Sequence, residues 1–362
     1  DLLRDGDGCW VASPSLDWST LPARVEGVVE ERIERLNREL QEMLQVASIQ
    51  GERFVAEVVA RVEEMSDRDA IWQLSRELQR RHRLVNAEGF VQLGRVRLSS
   101  YRFAHNLFQC YLYDHLSEAE RVYLHRGVGQ AFEELLAGQT EEAAAELARH
   151  FEEGGLTAKA ATYRLQAGER ARRLSAYDEA LDHLHQGLAL AGEVVPGIEQ
   201  TRLELDLQVS LGKVLLAMYG YGSPQVDRVF ARARELVRAL GDPPQAIQVV
   251  LAQSAFSLMR GQLAQARDQA EDVLRMAQAA QDERFELTSH LILGAVALYT
   301  AEYEQARQHF ERVMALYDPV RHRDLAYQQG QDPGVQALAF LSRTYWLQGY
   351  PQRALDKCDE AM

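Results

Sequence analysis

The sequence predicts an all-α protein, in which a solenoid of helical hairpins follows a small domain of helices and a short β wing. Apolar residues recur at intervals of three and four over most of the 362 residues, as the buried faces of amphipathic helices do. The alternating segment 101–104 interrupts this pattern and is typical of a strand. Beyond residue 157, similar Ala-rich segments repeat to the end of the chain, which indicates a repeat architecture.

Composition and charge exclude several classes of protein. With 46% hydrophobic residues the chain can bury a sizeable core, yet no apolar run reaches the roughly 18 residues of a membrane span, and the first residues lack the regions of a signal peptide. Cys9, Cys110 and Cys358 lie far apart without C-x-x-C spacing, which favours a reducing, cytoplasmic compartment without disulfides or a zinc site. The net charge of −14 argues against broad wrapping of nucleic acid.

The N-terminal domain is predicted from three helices and a set of short strands. The apolar stripe predicts one helix over 25–44 and a second over 52–64, and Ser66 offers the N-cap of a third. Short strands separated by a turn at 86–89 follow. Three helices and then a short wing is the order of a winged-helix domain, which we place at residues 24–105.

Arginines concentrate in the third helix and the wing of this domain. The basic patch consists of Arg76, Arg80, Arg81, His82, Arg83, Arg95, Arg97 and Arg102. The candidates for contact with nucleic acid are its arginines other than Arg102. In one interpretation the third helix enters a major groove and the wing contacts phosphates. In the other, the patch faces a neighbouring domain or is a solvated surface.

The remainder of the chain is predicted to be helical. Residues 1–23, rich in Gly, Ser and Pro, are expected to connect to an upstream domain of a longer protein; residues 106–156 are linking helices; and 157–362 are the repeats, which stop inside a unit. Small residues precede the turns, at Gly168, Gly212, Ser254, Gly294 and Ser342. Alanines follow the turns, at Ala180, Ala266, Ala306 and Ala354, with a weaker copy at 226–236. This pattern resembles the tetratricopeptide repeat, although the spacing of roughly 40 to 48 residues exceeds the family's 34 or so.

One insertion in the repeats is a candidate for partner or ligand binding. The segment 318–334 is polar, and long insertions on solenoids often shape the binding face. The candidate residues are Arg321, His322, Arg323, Tyr327 and Gln328. The alternative is a spacer, since Asp332-Pro333 is also an ordinary start of a helix.

No catalytic motif is present in the sequence. The chain contains no P-loop, no H-E-x-x-H, no G-x-S-x-G and no EF-hand loop, so we expect neither an enzyme nor a cofactor or metal site in this chain. His150, Asp182, His183 and His185 are predicted to be exposed polar positions of helices rather than metal ligands.

His105 and Asn106 stand where the Tyr101 strand meets a helix, with Asn106 as the predicted N-cap. The tetrapeptide Ala104-His105-Asn106-Leu107 resembles the Met-His-Asp-Leu signature that closes the winged-helix domain of STAND ATPases, and further segments, 147–155 and 317–323 among them, are similar to large bacterial signalling ATPases with tetratricopeptide arms. The resemblance implies that His105 senses ADP or ATP held by an ATPase domain of the parent protein.

The expected function is therefore the sensor or protein-interaction arm of a STAND-type signal-transduction ATPase. The repeats would bind a protein partner, the protein's own ATPase domain or a small effector, and the winged helix would relay that event. Two alternatives stay open at this stage. One is a DNA-binding transcription regulator with a repeat sensor, and the other is a protein-interaction scaffold without a ligand.

Overall fold

The computed structural model describes residues 2–4, 10–12, 23–220, 223–241, 246–322, 325 and 332–361. The chain forms two compact units, residues 1–163 and 164–362. At the start of the first unit, β1 (Leu2–Arg4) pairs antiparallel with β2 (Trp10–Ala12), within the segment that we predicted to be a connector.

The first three predicted helices are more divided than the sequence indicates. The helix predicted over 25–44 is two helices, because the side chain of Asn37 accepts the N–H of Leu40 at 2.9 Å and starts a new one. The helix predicted over 52–64 begins as a strand. In chain order these elements are α1 (Ala23–Glu34), α2 (Arg38–Gln50), β3 (Arg53–Val55) and α3 (Ala56–Val62).

The third helix starts at the predicted N-cap. Ser66 accepts the N–H of Asp69 at 3.1 Å and opens α4 (Asp67–Trp72). The helix then continues with i→i+5 hydrogen bonds over Gln73–Arg81, a π-helical stretch. Leu74 and Leu78 are fully buried and hold this stretch against the rest of the domain.

The wing is a hairpin of β4 (Val85–Leu93) and β5 (Val96–Phe103). The strand order is β3-β5-β4, all antiparallel, so β3 completes a three-stranded sheet. The turn predicted at 86–89 is wrong, since this segment is one strand whose register shifts between Ala87 and Gly89, and the hairpin turns at Gly94 instead. The predicted small domain of helices with a short β wing is therefore present, although its first strand, β3, lies between the helices rather than after them.

Three further helices complete the first unit: α5 (Asn106–Asp114), α6 (Glu118–Leu136) and α7 (Ala144–Glu153). Ser117 and Glu120 form the predicted capping box at the start of α6. A Cβ at Gly129 of α6 would lie 2.9 Å from the ring of Phe151 in α7. The backbone of α6 at Gly129 therefore packs closely against the ring of Phe151. We did not predict this contact for the linking helices.

Ten helices of the described chain then run as consecutive hairpins. They are α8 (Thr157–Arg173), α9 (Tyr177–Glu193), α10 (Ile198–Tyr219), α11 (Pro224–Leu240), α12 (Ala246–Met259), α13 (Leu263–Ala280), α14 (Glu283–Tyr299), α15 (Tyr303–Leu316), α16 (Pro333–Leu347) and α17 (Pro351–Glu360). The first helices of successive hairpins also contact one another, α12 with α14 and α14 with α16. This architecture is a tetratricopeptide-like α-solenoid.

The small residues predicted before the turns let the two helices of a hairpin approach. A Cβ at Gly168 would lie 2.7 Å from Leu184, and one at Gly294 would lie 2.6 Å from the ring of Phe310. In the weaker copy, Gly212 meets Phe230 in the same way, at 2.7 Å. The predicted alanines, Ala180, Ala266, Ala306 and Ala354, are all buried. The repeat pattern is confirmed at these positions.

The division between the two compact units falls within the sequence of α8, after Tyr163. The four-part division made from the sequence, with repeats from residue 157, stays a prediction. No helix in the described part of the chain is both long and apolar enough to cross a membrane.

Candidate functional site

His105 lies at the join between β5 and α5 and is itself the N-cap of α5. Its backbone is extended, with φ −147° and ψ 137°, and its Nδ1 accepts the N–H of Leu107 at 3.2 Å. Our assignment of Asn106 as the N-cap is therefore wrong by one position. Because Nδ1 accepts a hydrogen bond, the neutral ring carries its proton on Nε2, and this donor remains for another acceptor. His105 is exposed to solvent.

Asn106 is the first residue of α5 and is also exposed. Its side-chain amide donates to Sγ of Cys110, one turn along the same helix, at 3.5 Å. The amide is thus directed along α5. The Nε2–H group of His105 and the second N–H of the Asn106 amide therefore both remain as donors at the helix N-terminus.

Two exposed arginines, one on the third helix and one on the wing, stack on aromatic rings. The guanidinium of Arg76 lies 3.7 Å from the ring centre of Trp72, which is 48% exposed, and that of Arg97 lies 3.8 Å from Phe90. Arg81 pairs with Glu77 at 2.9 Å, and Arg102 pairs with Glu52. Within the described chain, no carboxylate pairs with the other patch arginines, which are Arg76, Arg80, Arg83, Arg95 and Arg97. The patch therefore carries uncompensated positive charge.

The tip of the wing is held by the segment that follows α6. The N–H of Gly94 donates to the carboxylate of Glu142 at 2.8 Å, and the N–H of Arg95 donates to Oε1 of Gln139 at 3.3 Å. The hairpin β4–β5 is thus fastened to the α6–α7 hairpin at its far end. An acidic side chain also lies beside Arg95, where a wing that binds DNA would meet phosphates.

Arg321 and His322 stabilise their own segment of the chain. Arg321 pairs with Glu283 at the start of α14, at 2.7 Å. His322 is 2% exposed, and its Nδ1 accepts the N–H of Asp318 at 3.0 Å. Arg323, Tyr327 and Gln328 lie outside the described residues. The two described candidates are therefore engaged within the protein.

A slot of about 430 Å³ lies on α16, in the same repeat. It is lined by residues spaced three and four apart along the helix: Asp332, Val335, Gln336, Ala339, Phe340 and Arg343. We did not single out this helix from the sequence. The sequence does show these residues at intervals of three and four. The same pattern is found on helices whose apolar face is buried in the core, so it does not indicate an exposed surface.

Two pairs of histidines join neighbouring helices. His125 of α6 and His150 of α7 are both fully buried, with their Nδ1 atoms 3.0 Å apart, and His290 of α14 lies 2.9 Å from His309 of α15 in the same way. The prediction that His150 is exposed is wrong. Its partner, His125, lies on the preceding helix, so the contact could not be recognised from the residues next to His150. Burial and the neighbouring imidazole lower the pKa of His125 to about 3 and that of His290 to about 4.

These pairs do not extend to a metal site. Among the residues that the structure describes, no group of three or more His, Cys, Asp or Glu side chains could hold a metal ion. One feature of the sequence could have indicated such pairs: a histidine recurs at the same position of two repeats. His183 and His309 each precede the residue that packs on a glycine, Leu184 and Phe310, and His183 likewise lies 3.4 Å from Arg164 of the preceding helix.

Comparisons with known proteins found a distant relative in sequence and several solved structures of partial similarity. No family model matches the sequence. An uncharacterised protein of Rhizobium meliloti (strain 1021), R02095, is 25% identical over 267 residues; the match covers 71% of this chain, which spans about a quarter of that protein's length. The crystal structure of BtubC (BKLC) from P. vanneervenii is similar over 62% of this chain and 86% of its own, with 15% identity and a TM-score of 0.47. A STAND protein with a tetratricopeptide repeat sensor, PH0952 from Pyrococcus horikoshii, is similar over 94% of this chain and 53% of its own, with 11% identity and a TM-score of 0.41.

Proposed function

We propose that this chain is the regulatory arm of a bacterial STAND-type signal-transduction ATPase. Its helical repeats would bind a protein partner or an effector, and the winged-helix domain would relay binding to a nucleotide held by the ATPase domain of a longer protein. The chain itself would supply no catalytic group, and ATP or ADP would be the ligand of that ATPase domain.

The geometry of His105 is the observation that carries the proposal. Its Nδ1 is occupied by the N–H of Leu107, so the imidazole is fixed in orientation and its Nε2–H is left as a donor. The ring stands at the N-terminus of α5, the positive end of the helix dipole. A helix N-terminus favours an anion, and a phosphate oxygen is a suitable acceptor for the Nε2–H group.

Two substitutions separate helix capping by His105 from nucleotide sensing. In His105→Asn, the amide oxygen can still accept the N–H of Leu107, but the imidazole donor is lost; in His105→Ala both are lost. We expect both variants of the full-length protein to bind ADP about 10- to 100-fold more weakly, which is the effect of losing a hydrogen bond to a charged group. Calorimetric titration with ADP measures this.

The stability of the two variants is the control. His105→Ala is expected to lower the free energy of unfolding by about 1 kcal/mol, the usual cost of a lost N-cap, and His105→Asn is expected to leave it unchanged. If the full-length protein holds no nucleotide, or His105→Asn binds ADP like the wild type, then His105 is a cap only. A scaffold without a ligand would then be the better description.

A DNA-binding regulator with a repeat sensor is the second candidate, because Arg76 and Arg80 are exposed on the third helix of a winged-helix domain without a carboxylate partner in the described chain. If it is correct, the double change Arg76→Ala and Arg80→Ala should weaken binding to a DNA duplex at least tenfold. It should also reduce the slope of log K against log salt by about two.

The matched control for DNA binding removes two arginines elsewhere in the same domain. Arg35 and Arg38 are exposed and pair with Glu31 and Glu42, so replacing both with Ala makes the same change in net charge away from the third helix. Gel-shift titrations at several salt concentrations compare the variants. A wild-type chain that shows no salt-dependent binding to duplex removes the second candidate.

A further inference from the structure

The third helix exposes a tryptophan among arginines. Arg68, Trp72, Arg76 and Arg80 are spaced four residues apart, so they form a stripe along the helix, and all four are exposed. The guanidinium groups of Arg68 and Arg76 lie over the indole of Trp72, 5.6 and 3.7 Å from its centre. The stripe is therefore amphipathic, with an apolar ring between cations.

The wing repeats this arrangement beside the third helix. Phe90 is 61% exposed, and the guanidinium of Arg97 lies over its ring. Because Phe90 pairs with Ser99, its side chain lies on the same face of the hairpin as Arg97 and Tyr101. The hydroxyl groups of Tyr101 and Ser75, a residue of the third helix, are hydrogen-bonded at 2.8 Å. This face of the wing therefore adjoins the third helix.

Together these residues form a surface that is both positively charged and aromatic. We call it the arginine-aromatic surface, and it consists of Trp72, Arg76, Arg80, Phe90 and Arg97. Carboxylates close to it in sequence are engaged elsewhere, since Glu77 pairs with Arg81 at 2.9 Å and Glu88 pairs with Arg53 at 3.0 Å. Within the described chain no carboxylate pairs with the three arginines of the surface. An anionic partner therefore complements it.

The stacked arginines favour one kind of anionic partner. Single-stranded nucleic acid binds by stacking its bases on aromatic rings, but the rings of Trp72 and Phe90 already carry the protein's own guanidinium groups. Duplex recognition relies on contacts with phosphates and base edges, which leave two exposed aromatic rings unused. The surface of an anionic bilayer uses both features, because aromatic side chains settle at the level of the headgroups and arginines bind the lipid phosphates.

We propose that the third helix and the wing bind the surface of an anionic lipid bilayer. Trp72 and Phe90 enter the headgroup layer, and Arg76, Arg80 and Arg97 contact the lipid phosphates. The contact is peripheral and needs no membrane-spanning helix. It goes beyond the proposed function, because it would hold the signalling protein at a membrane whatever the repeats bind.

Sedimentation of the chain with lipid vesicles tests the proposal. We expect binding to vesicles of phosphatidylcholine mixed with phosphatidylglycerol, much weaker binding to vesicles of phosphatidylcholine alone, and a decline as salt is added. The double change Arg76→Ala and Arg80→Ala should weaken binding about 30-fold, from the usual contribution of a basic residue at an anionic surface. Phe90→Ala should weaken it about tenfold, as expected for the loss of an apolar contact.

Two control variants match these changes in charge and in aromatic area. Replacing Arg35 and Arg38 with Ala removes the same charge from α1 and α2, and Tyr123→Ala removes an aromatic ring that is 73% exposed on α6. Both variants should bind the vesicles like the wild type.

The fluorescence of Trp72 reports insertion directly. Anionic vesicles should shift the indole emission to shorter wavelength, and the shift should disappear in Trp72→Phe, which keeps an aromatic ring. A purely structural role of Trp72 would not produce this signal.

The proposal is overturned if the chain does not distinguish the two kinds of vesicle, if the double arginine variant binds like the wild type, or if the emission of Trp72 does not change. Binding of a DNA duplex or a single-stranded oligonucleotide under conditions where the anionic vesicles are not bound would also overturn it, and would assign the surface to nucleic acid. None of these measurements involves ADP, so their failure is distinct from a failure of the His105 variants to alter ADP binding.

Discussion

Phe310→Ala is expected to lower the free energy of unfolding of the repeat region by about 3–5 kcal/mol, which is the usual cost of deleting a fully buried aromatic ring. Phe310 is 0% exposed and contributes to a core shared by α14, α15 and α16. Its ring lies against the backbone of Gly294 on one side and stacks on Phe340 on the other. Urea unfolding followed by circular dichroism measures the loss.

The contact with Gly294 can be tested from the other side. A Cβ at this position would lie 2.6, 2.8 and 2.9 Å from three atoms of the Phe310 ring, so Gly294→Ala forces the ring or the helix to move, at a cost of about 1–3 kcal/mol. Gly192→Ala is the matched control. Gly192 lies in α9 with no atom within 4 Å of its added Cβ, and Ala there should stabilise the helix by about 1 kcal/mol.

Equal stability of the Gly294→Ala and Gly192→Ala variants would contradict the close packing. A double variant adds a second check. In Gly294→Ala with Phe310→Leu, the smaller side chain leaves room for the new methyl group. The combined loss should therefore be less than the sum of the two single losses, because the two sites are in contact.

Acid is expected to destabilise the first unit through His125 and His150. Burial lowers the pKa of both imidazoles in the folded protein, that of His125 to about 3, whereas an unfolded histidine titrates near 6.5. Above pH 6.5 both states are neutral and stability is at its full value. Below it, the unfolded chain binds protons that the folded pair does not, so each histidine costs about 1.4 kcal/mol per pH unit.

The histidine contribution can be isolated by substitution. His125→Gln keeps a polar side chain but does not titrate, so the loss of stability between pH 6.5 and 5.5 should be smaller than in the wild type by about 1 kcal/mol. His185→Gln, in an exposed position of α9, is the control and should leave the slope unchanged. Parallel slopes for His125→Gln and the wild type would show that the pair takes up a proton in the folded state.

Most of the fold was predictable because local signals agreed with the packing. Ser66 and the Ser117 capping box start the helices that the sequence assigned to them. The small residues of the repeats also sit against large side chains, as at Gly294. The helix caps depend on residues close together in the chain. The close packing of the hairpins is indicated by small residues that recur at the same position of several repeats.

The failures involve partners that are distant in sequence. Phe54 and Val55 belong to a strand because β5 pairs with them, and Phe54 faces Tyr101 in that register. A three-residue strand has too short a pattern to be recognised alone. His150 is buried because His125 lies opposite, and Arg343 is available because no acidic side chain of the described repeats reaches it.

At His105 the error was smaller but bears directly on function. Asn is the better N-cap on average, and the sequence therefore favoured Asn106. The structure gives that role to the imidazole of His105. That a polar residue caps the helix at this join was predictable. Which of the two residues does so depends on where β5 ends.

The fastening of the wing tip has a mechanical consequence. β5 begins at Val96, next to the two backbone hydrogen bonds that hold Gly94 and Arg95 to Glu142 and Gln139, and it ends two residues before His105. An eight-residue strand is about 26 Å long. It pairs with β4 along its length and with β3 at Ser100–Arg102, which makes it stiffer than a flexible tether. We therefore expect a tilt of the α6–α7 hairpin at one end of β5 to displace the imidazole at the other.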